Sequence, residues 1–198
     1  MRAHSGAPLR GVVMGDGGVG GNRRSVRLRG YDYSRNGVYF VTICTRNRVC
    51  LFGDVNRGMM RLNAMGEVVL EEWIRSRELR PNMRFDDWVV MPNHFHGVVS
   101  ICDSTSDRSQ EKSFARRSNG VAPRRPRSLS SFVAMFKSTT TRRINVIRDM
   151  PGRPVWQRNY YESIVRDRQY LLNIQRYIKN NPAAWSRDQL HPKVKSKW

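Results

Sequence analysis

Acidic residues are scarce in this chain: 16 Asp and Glu stand against 36 Lys and Arg, a formal net charge of +20. Such an imbalance says nothing about fold, but it points to a polyanionic partner, nucleic acid foremost. Cysteine is sparser still. Cys44, Cys50 and Cys102 form no Cys-x-x-Cys pair, which excludes a zinc finger or ribbon and fits reduced thiols in a cytosolic chain. No apolar run approaches the roughly 18 residues of a membrane-spanning helix. No basic amphipathic helix stands alone at either end, and the N-terminus lacks the apolar core of a signal peptide. These absences leave a cytoplasmic, nucleoid-associated nucleic-acid-binding protein, with no membrane partner, as the working class.

What is present divides unevenly. Residues 1–21 hold seven of the fifteen glycines and few large apolar side chains, so they read as a flexible leader. Arg23, Arg24, Arg27 and Arg29 then interleave with Tyr31 and Tyr33. Guanidinium groups grip phosphates bidentately and tyrosine rings stack on unpaired bases, so this arm is the expected DNA-binding element. Residues 22–185 form the one domain, interrupted at 103–127 by a disordered insertion with seven basic residues against three acidic. A basic tail occupies 186–198.

The domain reads strand, helix, strand, strand, helix, strand, helix. Gly37–Thr45 is rich in β-branched and aromatic residues, as a buried strand is. Residues 62–79 space Val68, Val69, Trp73 and Ile74 helically and are stopped by Pro81. Strands follow at 85–91 and 94–101, joined tightly at Pro92-Asn93. A helix beginning near Ser128 or Ser130 runs towards Ile147. A strand is expected over 155–165, and a last helix from Asp167 to Asn181, ended by Pro182. This predicts an α+β, ferredoxin-like split βαβ sandwich: an antiparallel sheet with helices on one face, plus a C-terminal helix.

Within it, His94-Phe95-His96 carries the chemistry. Strand alternation sets both histidines on one face, roughly 7 Å apart at the backbone, with Phe95 turned into the core. Two such imidazoles can share a divalent ion. On the last helix Tyr177 and Asn181 are one turn apart and share a face. A phenol that can attack and an amide oxygen that can bind a cation complete three metal ligands and a nucleophile. Other fates stay open at this point. A helical tyrosine commonly packs on a sheet, Asn181 could cap its helix, and Tyr160 or Tyr161 could be the nucleophile.

Three segments in order, Met91-Pro92-Asn93-His94-Phe95-His96-Gly97, Trp156-Gln157-Arg158-Asn159-Tyr160-Tyr161-Glu162 and Tyr177-Ile178-Lys179-Asn180-Asn181-Pro182, resemble the REP-associated tyrosine transposases. These are HUH-type single-tyrosine transposases, and the likeness spans roughly residues 23–185. It implies His94 and His96 as metal ligands, Asn181 as the third, Tyr177 as nucleophile, and Mg²⁺ or Mn²⁺ as cofactor. Asn181 stands where other members carry Gln. The implied activity is cleavage and rejoining of single-stranded DNA at hairpin-forming repeats through a 5′-phosphotyrosine. The competing expectations are a non-catalytic DNA or RNA hairpin binder and a rolling-circle replication initiator. The short chain has no helicase-like P-loop, which leans against the initiator. Monomer and homodimer are both compatible with the sequence.

Overall fold

The structure, a computed structural model, describes residues 36–102 and 128–194. The arm carrying Arg23, Arg24, Arg27, Arg29, Tyr31 and Tyr33, the 103–127 stretch and the last four residues lie outside the described residues.

Strand β1 (Gly37–Cys44) is apolar along nearly its whole length because both its faces are covered. Tyr39, Val41 and Ile43 are fully buried on one side, and Phe40 and Thr42 are buried on the other. A small hairpin follows, β2 (Gly53–Asn56) and β3 (Met59–Leu62). Helix α1 (Ala64–Leu79) starts at Asn63, whose Oδ1 accepts from the N–H groups of Met65 and Gly66, each at 3.0 Å. Strands β4 (Met83–Met91) and β5 (His94–Ile101) pair from Met91 and His94 outward, so Pro92-Asn93 is a two-residue turn. Ser128 caps α2 (Leu129–Ile147), and Asp167 caps α3 (Arg168–Ala184) by accepting from the N–H of Tyr170 at 2.7 Å. Between those helices lies β6 (Tyr161–Val165).

The main sheet runs β4-β5-β1-β6, with every pair antiparallel. That is the expected ferredoxin-like order, with the helices α1 and α2 on one face. Their layer is centred on Trp73, whose ring meets Phe95 at 4.8 Å, Phe85 at 4.9 Å and Phe132 at 5.9 Å between centroids. Gly97 sits under that indole. A methyl group there would stand 2.6 Å from Cη2 of Trp73, so the glycine after His-Phe-His is a packing requirement. Helix α3 covers the other face through Ile174 and Ile178, which meet Phe40 and Val98.

Three elements differ from the sequence reading. The β2–β3 hairpin is unexpected there; its turn uses Arg57 and Gly58, both at positive φ (50° and 75°), as a two-residue hairpin requires. The strand expected over 155–165 forms only from Tyr161. Before it, Trp156 makes an isolated bridge to Thr45, and the Lys137 ammonium donates to the carbonyls of Gln157 and Arg158, which draws the chain off the sheet. Helix α3 runs on through Pro182 to Ala184. Pro182 supplies no hydrogen-bond donor to the helix, and the N–H of Trp185 closes the end onto the Pro182 carbonyl.

Candidate metal and nucleophile site

His94 and His96 lead β5 and face the α3 layer, while Phe95 enters the Trp73 core. Both imidazoles are buried and their centroids lie 4.6 Å apart. Each ring is held through Nδ1. That of His94 lies 2.8 Å from Oδ1 of Asn93, and that of His96 lies 2.8 Å from Oγ1 of Thr42, its partner across the β1–β5 pair. Phe40 stacks on His96 at 5.2 Å. The Nε2 atoms are left to face the helix.

Helix α3 brings two residues to them, one turn apart. The Tyr177 hydroxyl lies 3.3 Å from Nε2 of His96, and its ring meets Phe40 edge-on at 6.2 Å. The residue as a whole keeps 36% of its surface exposed, although its hydroxyl is turned inward against His96. Asn181 is buried, and its Nδ2 donates to Oδ2 of Asp188 at 3.1 Å. Because a carboxylate only accepts, that contact fixes the amide's orientation and aims Oδ1 elsewhere. Among the described residues Oδ1 of Asn181 has no hydrogen-bond partner, and neither has Nε2 of His94.

An acidic donor comes from beyond the helix. After a 3-10 turn at Trp185–Arg187, Asp188 folds back with 8% of its surface exposed. One ligand atom from each of His94, His96 and Asp188 lies within 4.8 Å of the others, so this group can hold a metal ion. Burial pushes the imidazole of His94 down to about 4, with the Asp188 carboxylate and the Asn181 amide pulling the other way. His96 is held well below its ordinary value by burial and then by His94. Burial, reinforced by Asp188, raises the Tyr177 phenol. Near neutral pH both imidazoles are therefore neutral and the phenol keeps its proton beside His96, while Nε2 of His94 and Oδ1 of Asn181 are acceptors without a donor among the described residues. A buried acceptor without a partner is costly, and a divalent cation would satisfy several at once. Two imidazole nitrogens with oxygen donors beside them make a mixed site for a divalent ion.

His94, His96, Tyr177 and Asn181, the four residues picked from sequence, thus lie together. Tyr160 and Tyr161 do not join them: Tyr160 packs against the α1–α2 core, and Tyr161 against the Phe40 cluster. Sequence reasoning missed Asn93 and Asp188. The one available signal for the latter was that it is the sole acid in residues 186–198.

No family model matches the chain. A REP-associated tyrosine transposase solved bound to a REP hairpin superposes with a TM-score of 0.52 at 18% identity, covering 86% of this chain and 77% of that one. The four-stranded antiparallel sheet with its C-terminal helix is a REP tyrosine transposase-like fold. An uncharacterized protein of Haemophilus influenzae is 38% identical over 173 residues, covering 86% of this chain and 93% of that protein. The chain belongs to the same family as that Haemophilus influenzae protein. Among the described residues, no helix is long and apolar enough to cross a membrane.

Proposed function

We propose that this protein is a divalent-metal-dependent endonuclease and strand transferase of single-stranded DNA, acting at hairpin-forming repeats. The observation that carries the reading is the convergence of a phenol, Tyr177, on two buried histidines beside unpartnered acceptors. The hairpin bound by the similarly folded transposase supports the choice of substrate, and the charge of +20 supports a polyanion. Such work would be done in the cytoplasm, at the nucleoid.

In this proposal His94, His96 and Asn181 hold the ion, with Asp188 as a further oxygen donor. A bound Mg²⁺ or Mn²⁺ would polarise the scissile phosphate and stabilise the departing 3′-oxygen. The chain's own part is positional. Tyr177 Oη attacks phosphorus and gives up its proton as the bond from phosphorus to the phenol oxygen forms; the bond to the 3′-oxygen breaks, and that oxygen takes up one proton from solvent in exchange, leaving a 3′-OH. The phosphotyrosine retains the phosphodiester, so a second 3′-OH can reseal the strand without a nucleotide cofactor. A single lone pair on Nε2 of His96 cannot serve both the phenol proton and a cation. With Nε2 of His96 engaged by an ion, the Tyr177 hydroxyl would be free to face the strand. The arm with Arg23, Arg24, Arg27, Arg29, Tyr31 and Tyr33 supplies phosphate and base contacts.

The test is covalent capture. Incubation with a single-stranded hairpin oligonucleotide and Mn²⁺ should give a DNA-linked protein band that is absent in Tyr177→Phe, while Tyr177→Phe still binds the hairpin. A band that survives Tyr177→Phe and is lost in Tyr160→Phe or Tyr161→Phe overturns the assignment.

A further inference from the structure

Asn93 is buried to 1% of its surface in the turn immediately before His94, and every polar atom of its side chain is engaged. Nδ2 donates to the carbonyl of Arg48 at 3.0 Å and to that of Leu190 at 2.8 Å. Carbonyl oxygens only accept, so these two bonds use both amide hydrogens and fix which end of the amide is nitrogen. A flipped amide would set Oδ1 against two carbonyls. Oδ1 therefore faces Nδ1 of His94, 2.8 Å away. Since Oδ1 cannot donate, the proton of a neutral His94 ring must sit on Nδ1, and Nε2 is left as a bare lone pair.

The backbone of Asn93 locks the same corner. Its carbonyl accepts from the N–H of Thr45 at 2.8 Å and from the Thr45 hydroxyl at 3.0 Å. Leu190, which receives one amide hydrogen, also donates its own N–H to Oδ1 of Asp188 at 2.6 Å. One side chain thus ties the ring of His94 to the segment that carries Asp188.

We propose that Asn93 is a positioning residue: it selects the Nδ1–H tautomer of His94, baring Nε2 towards a metal ion, and clamps the Asp188 turn beside it. An outer partner that fixes a ligand's tautomer typically matters 10–100-fold in metal affinity. The inference rests on the proposed metal site, although the tautomer is set in the metal-free protein.

The experiment reads the tautomer directly. Two-bond ¹H–¹⁵N correlation of the histidine rings at pH 7.5, without metal, should show His94 protonated on Nδ1 in the wild type. In Asn93→Ala the His94 pattern should shift towards Nε2 protonation or a mixture. In Asn93→Asp, where a carboxylate still accepts from Nδ1, the wild-type pattern should persist. Mn²⁺ affinity, followed by the loss of free-ion electron paramagnetic resonance signal, should fall roughly 10–100-fold in Asn93→Ala. It should be restored only in part in Asn93→Asp, because a carboxylate keeps the contact to Nδ1 but cannot donate to the Arg48 and Leu190 carbonyls. Wild-type His94 protonated on Nε2, or an unchanged tautomer in folded Asn93→Ala, overturns the proposal. Should Asn93→Ala fail to fold, the wild-type spectrum still decides. Failure of the Tyr177 covalent capture, with tautomer and affinity as expected, would overturn the catalytic reading alone.

Discussion

The hydroxyl of Tyr177 on α3 lies 3.3 Å from Nε2 of His96 on β5, across 81 residues of sequence. No local rule joins these two. They meet because Ile174 and Ile178, on the same helix, pack against Phe40 and Val98 and lay α3 across the sheet. The contact makes Tyr177 sensitive to whatever occupies His96. With burial raising the phenol, Tyr177 stays protonated in the metal-free protein well above pH 10. Ultraviolet titration in EDTA should show a late-ionising phase that loses one tyrosine's amplitude in Tyr177→Phe. A titration unaltered by the substitution would contradict the buried placement.

Metal binding should be visible without any DNA. A ligand at about 100 times its dissociation constant stabilises the folded state by roughly 2.7 kcal/mol. Excess Mn²⁺ should accordingly raise the wild-type melting temperature by several degrees, and EDTA should reverse it. His94→Ala together with His96→Ala should remove the shift and abolish cleavage. Cleavage that continues unchanged in EDTA would sink the metal mechanism.

The metal-free protein should lose stability on mild acidification. His94 protonates at about 4 when folded and near 6.5 when unfolded, so between those values the unfolded chain binds the extra proton. Stability is therefore full above pH 6.5, falls as the pH drops towards 4 and levels off below it, as far as His94 is concerned. The expected loss is on the order of 3 kcal/mol, and His96 shifts in the same direction. Urea titrations in EDTA from pH 7.5 to 4.5 should show the midpoint falling, and less so when both histidines are replaced by Gln.

Much of this geometry could be read in the sequence because it follows from short-range rules. Alternation at His94-Phe95-His96 gave the two faces, and the four-residue spacing of Tyr177 and Asn181 gave the shared helix side. The split βαβ order came from the element pattern. What escaped is what tertiary contacts decide. Asp188 stands in a segment that reads as a basic tail, and it is held at the site by tertiary contacts such as its bond to Asn181 and the Leu190 carbonyl's bond to Asn93. The hairpin of β2 and β3 has strands too short for period-2 alternation to stand out, and Arg57 is not a residue usually associated with positive φ. Val155 to Tyr160 has strand-like composition, yet Lys137 takes the carbonyls a strand would need.

Gly97 offers a stability test that bypasses chemistry. Gly97→Ala places a methyl 2.6 Å from Cη2 of Trp73 and 2.9 Å from Cε1 of Phe95, both fully buried in the core. Overpacking of this kind costs about 1–3 kcal/mol. Chemical denaturation should show a lower midpoint at unchanged slope, with Mn²⁺ affinity reduced only if β5 shifts. A neutral substitution would mean that Trp73 can move aside.

The arm ahead of β1 is open to a test of how DNA is held. Arg23, Arg24, Arg27, Arg29 and Arg35 supply positive charge, and Tyr31 and Tyr33 supply rings that can stack on unpaired bases. Each phosphate neutralised on a single strand steepens log K against log salt by roughly 0.7. Deleting residues 1–35 should flatten that slope by roughly two to three units and weaken discrimination between a hairpin and a scrambled strand. Deleting residues 1–21 alone should change neither, since that segment is largely glycine and small residues. Binding curves at several salt concentrations separate the two truncations. Identical slopes for both truncations and the full chain would move recognition from the arm to the basic stretch at 103–127.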